Sequence, residues 1–271
     1  MAGFICPVCK SQLVKDGKTY RCEKNHCYDI SRSGYINLLM SQKTSNHGDD
    51  KLMVKARRDF LDAGYYKILL DKLCSVVDRY ASDGSVILDA GAGECYYTSG
   101  IYEKLSASQK NVTMLAVDIS KNALASAKSR NKDIERAVAS IFNIPVQDNS
   151  CDIVLNVFAP FCQKEFSRIL KKSGIYIQVI PLENHLWELK KAVYDVPYKN
   201  TTEDYHIDGF ELVSSREIKG NIKLDCTEMI ENLFMMTPYY YKTSEKDFKK
   251  LHLLDFLKTQ IEFAILIYKK K

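Results

Sequence analysis

Cys6 and Cys9 stand three positions apart; twelve residues later come Cys22 and, four positions on, His26. Thiolate sulfur and imidazole nitrogen are the donors a tetrahedral zinc ion takes up, and two ligand pairs on separate tight turns are a common way to supply them. The intervening "KSQLVKDGKTYR" holds Asp16-Gly17 between two strand-like pieces, Gln12–Val14 and Lys18–Arg21. That arrangement predicts a hairpin, which would bring the two pairs together. A segment this short buries too little apolar surface to fold alone, so the metal is expected to supply the missing stability. Four protein ligands leave no open position, so the zinc is expected to be structural. Cys27 adjoins His26, and a four-residue gap from Cys22 is sterically acceptable; spacing alone leaves the fourth ligand open between His26 and Cys27.

A second constellation is "SVILDAGAGECYYT", Ser85–Thr98. Val86–Leu88 is a short apolar run of the kind that forms a buried parallel strand. Asp89 ends it, Gly91 and Gly93 follow, and then a helical stretch begins. A strand, a glycine loop and a helix let a ligand come close to the backbone beside a helix N-terminus. A dinucleotide fingerprint would need glycine at position 96, where Tyr96 stands. The pattern D-x-G-x-G-E, Asp89–Glu94, instead resembles the first motif of class I S-adenosylmethionine-dependent methyltransferases. The resemblance implies a loop that cradles the methionine and ribose parts of that cofactor. Where many such enzymes have a further glycine this chain has Cys95, whose side chain is expected to narrow the pocket and not to act as a nucleophile. Asp118 ends the next apolar run, 25 positions after Gly93, near the spacing at which an acid holds ribose hydroxyls.

The elements that must position these residues follow from periodicity. A helical stretch after Asp118 leads to a third strand ending at Ser140 and a fourth over Cys151–Val157. "EFSRILKKSGIYIQVIP" reads as a helix, a Ser173-Gly174 turn and a fifth strand. "FELVSSREIKGNIKL" and "QIEFAILIYKK" read as the last two strands, with an insertion between them whose Met and Tyr residues are expected to pack locally. Strands alternating with helices predict the α/β class: a doubly wound, Rossmann-like parallel sheet preceded by a small zinc-ribbon-like domain. The ligand belongs beyond the carboxyl ends of the strands. Asp89, Asp118, Ser140 and Asn156 all fall there.

At 271 residues, 46% hydrophobic and 27% charged, the chain has globular composition. Residues 1–58 carry eleven Lys/Arg against five Asp/Glu, so the whole net charge of +5 is accounted for at the N-terminal end. A basic surplus placed there suits a polyanion such as RNA. No apolar run approaches bilayer length and no signal peptide is evident, so a cytoplasmic protein with no membrane partner is expected. In that reducing setting most of the scattered cysteines are expected to be small buried hydrophobes and not disulfides. The expected organisation is a zinc-binding, RNA-recognising domain over 1–40, a linker and helical segment over 41–80, and the methyltransferase domain over 81–271.

Beyond the general motifs, the whole chain resembles the bacterial 23S ribosomal RNA (guanine-N1)-methyltransferases. The resemblance is carried by the zinc knuckles, "YDISRSGYINLL" (Tyr28–Leu39), Gly48-Asp49, "ARRDFLDAGYY" (Ala56–Tyr66), "LDAGAGECYYT", "FAP" (Phe158–Pro160) and "HLWELK" (His185–Lys190). It implies methyl transfer to N1 of a guanine in a hairpin loop of 23S rRNA, a zinc domain that recognises that RNA, and a homodimer. It places the zinc ligands at Cys6, Cys9, Cys22 and His26, favouring His26 over Cys27. It places cofactor contacts at Tyr66, Gly93, Glu94 and His185, to which the motif reading adds Asp89, Gly91 and Asp118. Two branches of the family methylate neighbouring guanines, and one has been associated with macrolide resistance. Asn156 and Phe158 lie nearest to where the target base should enter, with Phe161 and Trp187 as further stacking candidates; no residue stands out as the general base. Arg57 and Arg58 read equally as phosphate contacts or as helix surface. The alternatives are a methyltransferase acting on another RNA or a small molecule, which the basic zinc segment disfavours, and a zinc-dependent RNA-binding protein with a vestigial pocket, which intact Asp89, Gly91, Gly93 and Asp118 disfavour.

Overall fold

The computed structural model describes residues 3–40, 48–201 and 204–271. The N-terminal hairpin forms at Asp16-Gly17: β1 (Val14–Asp16) pairs antiparallel with β2 (Thr19–Arg21), and β3 (Cys27–Asp29) adds to β2. Gly17 takes φ 59, a left-handed conformation that glycine adopts without strain. β4 (Tyr35–Asn37) leaves this small sheet and pairs in parallel on the edge of the large one. Tyr35–Asn37, grouped with the zinc segment by the sequence reading, are thus also an edge of the large sheet.

Residues 41–47, in the stretch read as a linker, lie outside the described residues. The rest of it is α1 (Lys51–Asp62), started by Asp50, whose carboxylate accepts from Met53 N at 2.9 Å, and α2 (Lys67–Tyr80). Phe60, Leu69, Leu73 and Val77 are completely buried, so both helices pack on the sheet as part of its core.

The large sheet contains β4, β5 (Val86–Ala90), β6 (Thr113–Asp118), β7 (Glu135–Val138), β8 (Cys151–Val157), β9 (Leu170–Pro181), β10 (Phe210–Leu224) and β11 (Leu257–Lys270). Their order is β10-β11-β9-β8-β5-β6-β7-β4. β5 is buried along its whole length, as its run of apolar residues requires. The sheet is mixed, not wholly parallel: β11 runs antiparallel to both β9 and β10. The Ser173-Gly174 turn is also not a break. β9 runs through it, with Ser173 at φ 62 and a register shift against β8 between Cys151 and Ile153.

The connecting helices are α3 (Tyr96–Ala107), α4 (Lys121–Ser126), α5 (Gln163–Ile169), α6 (Trp187–Val193), α7 (Thr227–Met235) and α8 (Glu245–Phe248). One face of the sheet packs on residues of α1, α2, α3, α6 and α7; the other packs on α5 and the N-terminal segment, where Phe4, Leu13 and Ile36 join its core. Phe4 bridges Val146, and Ile5 N–H donates to Pro145 O at 2.9 Å, which seats the N-terminal segment against the loop after β7. No helix among the described residues is long and apolar enough to cross a membrane.

Candidate cofactor cavity and metal centre

Beyond the carboxyl ends of β5, β6, β7 and β8 lies a cavity of about 720 Å³. That volume is within the range of small-molecule sites, about 300–1,000 Å³. Its floor is the loop from Asp89 to Glu94. Gly91 has φ 89, and a Cβ there would overlap the Ala159 methyl. Glycine is therefore required twice over, by backbone sign and by the close approach of the loop after β8. Gly93 is also left-handed, and its N–H donates to Asp118 Oδ2 at 2.8 Å. Ser120 N–H donates to Asp118 Oδ1 at 2.7 Å. The carboxylate is thus fixed at the end of β6, with lone pairs left for further donors.

Asp89 is 2% exposed. Thr98 Oγ1 donates to its Oδ2 at 2.6 Å, while Oδ1 has no partner among the described residues. Burial pushes its carboxyl up to about 7, with Asp118 adding to the shift. The Tyr97 hydroxyl, also on the cavity wall, likewise lacks a partner among the described residues. An unpartnered buried acceptor and an unpartnered donor on one wall fit a polar, cationic ligand. S-adenosylmethionine, with an ammonium, a sulfonium and a hydroxylated ribose, is such a group.

On the opposite wall Glu262 N–H donates to His185 Nδ1 at 3.1 Å. That bond fixes the proton on Nε2, which donates to the Tyr66 hydroxyl 3.2 Å away. Burial, with Lys190 assisting, lowers His185 to about 3, so the ring is neutral. Tyr66 then keeps its own proton free to donate into the cavity that both residues line. Glu94 lines it too, but both carboxylate oxygens are engaged by Arg130 at 2.9 Å, and Arg130 also reaches Asp62 at 2.7 Å.

The structure brings Tyr66, Asp89, Gly91, Gly93, Glu94, Asp118, Ser140, Phe158 and His185 to this one cavity. Asn156 is elsewhere. It is buried behind the wall, and its Nδ2 donates to Pro160 O at 2.9 Å and Ala90 O at 3.4 Å. Its Nδ2 thus fastens the turn after β8 to the end of β5, while its Oδ1 has no partner among the described residues. Phe161 packs on Phe166 and Tyr176, and Trp187 is also off the wall. Cys95 is fully buried away from the cavity and does not narrow it; burial raises its thiol far above the usual range. Phe158 stands at the mouth, 44% exposed, with φ 56, a conformation an aromatic residue adopts only under local constraint.

Sequence reasoning missed Arg57 as a wall residue and missed the segment after α7. Met236, Thr237, Pro238, Tyr239 and Tyr241 close one side of the cavity instead of packing only locally. Arg58, by contrast, turns away to Ser126 O at 2.6 Å and Ser129 Oγ at 2.5 Å.

The metal centre is built from two turns. Lys10 and Asn25, both left-handed, close them, with Lys10 N–H to Cys6 O at 2.8 Å and Asn25 N–H to Cys22 O at 2.9 Å. Ligand atoms of Cys6, Cys9, Cys22 and His26 all lie within 4.8 Å of one another. Individual separations are 3.4 Å (Cys6 Sγ to His26 Nδ1), 3.3 Å (Cys22 Sγ to His26 Nδ1) and 3.6 Å (Cys9 Sγ to Cys22 Sγ). A tetrahedral zinc site has bonds of about 2.0–2.3 Å and hence edges of roughly 3.3–3.8 Å, so the donor set fits the ion. Tyr28 OH at 3.1 Å from Cys6 Sγ and Ser11 Oγ at 3.0 Å from Cys9 Sγ provide the outer hydrogen bonds such thiolates need. Cys27 is exposed on β3, outside the cluster.

Comparison with known proteins follows the same division. Residues 4–46 match the family "RlmA, N-terminal", a zinc ribbon, and residues 81–233 match "Methyltransferase domain". The chain is similar to the 23S rRNA (guanine(748)-N(1))-methyltransferase of Streptomyces fradiae, 31% identical over 81% of this chain and 79% of that one. It is similar to YxjB of Bacillus subtilis (strain 168), provisionally assigned as a 23S rRNA (guanine-N(1)-)-methyltransferase, 31% identical over 73% of this chain and 72% of that one. Among solved structures, the YcgJ protein of Bacillus subtilis has a slight likeness: TM-score 0.48, 14% identity, covering 74% of this chain and 99% of that one.

Proposed function

The chain belongs to the family of 23S rRNA (guanine-N1)-methyltransferases, and from that premise we propose that it methylates N1 of a guanine in a hairpin loop of 23S rRNA. Its cofactors are S-adenosylmethionine and a structural zinc ion. The observation that carries the reading is the 31% identity to the Streptomyces fradiae enzyme across 79% of that enzyme, together with the zinc-ribbon family match over residues 4–46. We propose further that it acts in the cytoplasm, where rRNA is made, and as a homodimer.

Bound S-adenosylmethionine supplies an activated methyl group on a sulfonium. What the protein contributes is position and exclusion of water. Asp118, held by Gly93 N–H and Ser120 N–H, presents acceptors for ribose hydroxyls. Asp89, a lining residue with one carboxylate oxygen unpartnered among the described residues, would take the ammonium end. Tyr66, oriented by His185, offers its hydroxyl proton. The Glu94–Arg130 pair keeps the glycine loop seated on the segment after α4. Asn156 ties the turn that carries Phe158 to the same loop, so the stacking surface and the cofactor floor move together. A guanine drawn out of its loop can stack on the exposed Phe158 ring. Cys6, Cys9, Cys22 and His26 shape the module that carries part of the basic surplus and meets the RNA.

The test is transfer of labelled methyl from S-adenosylmethionine to unmodified 23S rRNA, followed by mapping of the modified nucleotide. Label at N1 of one guanine is expected. No incorporation, or label on another base, overturns the proposal.

A further inference from the structure

Among the described residues on the cavity wall, Arg57 is the one cation, since His185 is held neutral by the hydrogen bond at its Nδ1. Four carboxylates share that wall: Asp49, Asp89, Glu94 and Asp118. Glu94 is matched by Arg130. The cofactor's amino-acid end brings an ammonium and a carboxylate on one carbon, beside the sulfonium. The carboxylates of the wall can answer the two positive charges. Among the described residues of the wall, Arg57 is the side chain that can answer the negative one with a positive charge.

Its geometry agrees. Nη1 lies 3.8 Å from where a Cβ on Gly93 would stand, so the guanidinium faces the open side of the glycine loop. Nη1 also pairs with Asp49, and Nη2 is 3.5 Å from Met236 O, so two other residues lining the cavity hold the group in place. A guanidinium has five N–H donors, so these contacts leave donors for a ligand. The side chain is 24% exposed, beneath the segment after α7, a poor position from which to meet an RNA phosphate. Asp49 itself is fastened across the end of β6, its carbonyl accepting from Ser120 Oγ at 2.9 Å and Asn122 Nδ2 at 3.4 Å.

We infer that Arg57 is the carboxylate clamp for the methionine end of the cofactor, recognising it through the planar fork that matches a carboxylate. The inference deepens the S-adenosylmethionine reading of the cavity and rests on it.

Calorimetric titration of S-adenosylhomocysteine, which keeps the amino-acid end, and of 5′-methylthioadenosine, which lacks it, separates the possibilities. In Arg57→Ala, S-adenosylhomocysteine should weaken roughly 10- to 100-fold while 5′-methylthioadenosine stays within about twofold, the pattern of one lost charge-assisted hydrogen bond. Arg57→Lys, which keeps the charge but not the fork, should lose less. Equal weakening of both ligands would make Arg57 a structural residue and overturn the inference. Unchanged S-adenosylhomocysteine affinity with lost binding of an rRNA hairpin fragment would assign Arg57 to a phosphate and also overturn it. Wild-type protein that binds neither nucleoside would instead overturn the reading of the cavity, and the clamp with it.

Discussion

Residues 4–30 take their shape from four side chains converging on one point, with Phe4, Ile5 and Leu13 as buried apolar partners. Residues 86–181 take theirs from strands buried on both faces, where Ile87, Leu88, Leu115, Val154 and Ile177 have no exposure at all. The two regions also differ in how they use polar groups. In the small one the thiols and imidazole are consumed by the fold. In the large one the fold leaves polar atoms over: Asp89 Oδ1 and Tyr97 Oη, of two residues that line the cavity, are buried with no partner among the described residues. The comparison teaches where ligand binding can be separated from stability. Removing a zinc ligand attacks structure first, whereas removing a cavity acid can relieve it.

The largest expected effect is on the metal. His26→Ala should drop zinc content from one ion per chain to near none, because structural zinc contributes about 10–16 kcal/mol to such modules. Plasma emission analysis of purified protein reads this directly; full zinc content in the variant would break the assignment of the fourth ligand. Next is Gly91→Ala. Left-handed alanine costs about 1–2 kcal/mol and the overlap with Ala159 about 1–3 kcal/mol more, so S-adenosylhomocysteine binding should fall steeply while zinc content stays at one. Loss of zinc together with cofactor binding would show that the two regions are not separable.

Asp89→Asn sharpens it. Burial holds the folded carboxyl at about 7 against 3.8 in the unfolded chain. Between those values the folded state binds more protons than the unfolded one, so stability falls as pH rises and the penalty is complete above pH 7. The cofactor-free variant should therefore melt about 3–8 °C above wild type at pH 8, with the gap closing towards pH 4. Its cofactor affinity should fall roughly tenfold, the cost of a missing ammonium partner. Calorimetry across pH checks the first part; a variant less stable than wild type at pH 8 would contradict it. The smallest effect is Cys27→Ser, which should leave zinc content and melting temperature unchanged, since Cys27 is exposed and outside the cluster.

The parts legible in the sequence were those where chemistry constrains residue type locally. Gly91 must be glycine, Asp118 must end its strand, and the two ligand pairs must sit on turns joined by a hairpin. The parts that were not legible depend on how distant elements meet. Met236–Tyr241 form a cavity wall because α7 lies along α1, more than 170 residues earlier in the chain, and no local pattern records that. Asn156 is the next-to-last residue of the expected strand, but its side chain turns behind the wall to Pro160 and Ala90, a choice of direction that strand periodicity leaves undecided. The reversed direction of β11 is likewise invisible in an apolar run, since a buried strand reads alike either way. Spacing alone left the fourth zinc ligand open between adjacent His26 and Cys27; the family resemblance favoured His26, and in the structure His26 joins the cluster while Cys27 is exposed on β3.

One measurement bears most directly on the proposed division between a module that delivers RNA and a cavity that holds the cofactor. In Cys22→Ser, S-adenosylhomocysteine affinity and the rate of methyl transfer to the rRNA hairpin are measured on the same preparation. The account predicts affinity within about threefold of wild type and transfer slowed at least roughly 100-fold, the loss expected when a substrate is no longer held in line with the methyl group. Wild-type transfer, or cofactor affinity lost in step with transfer, would contradict it.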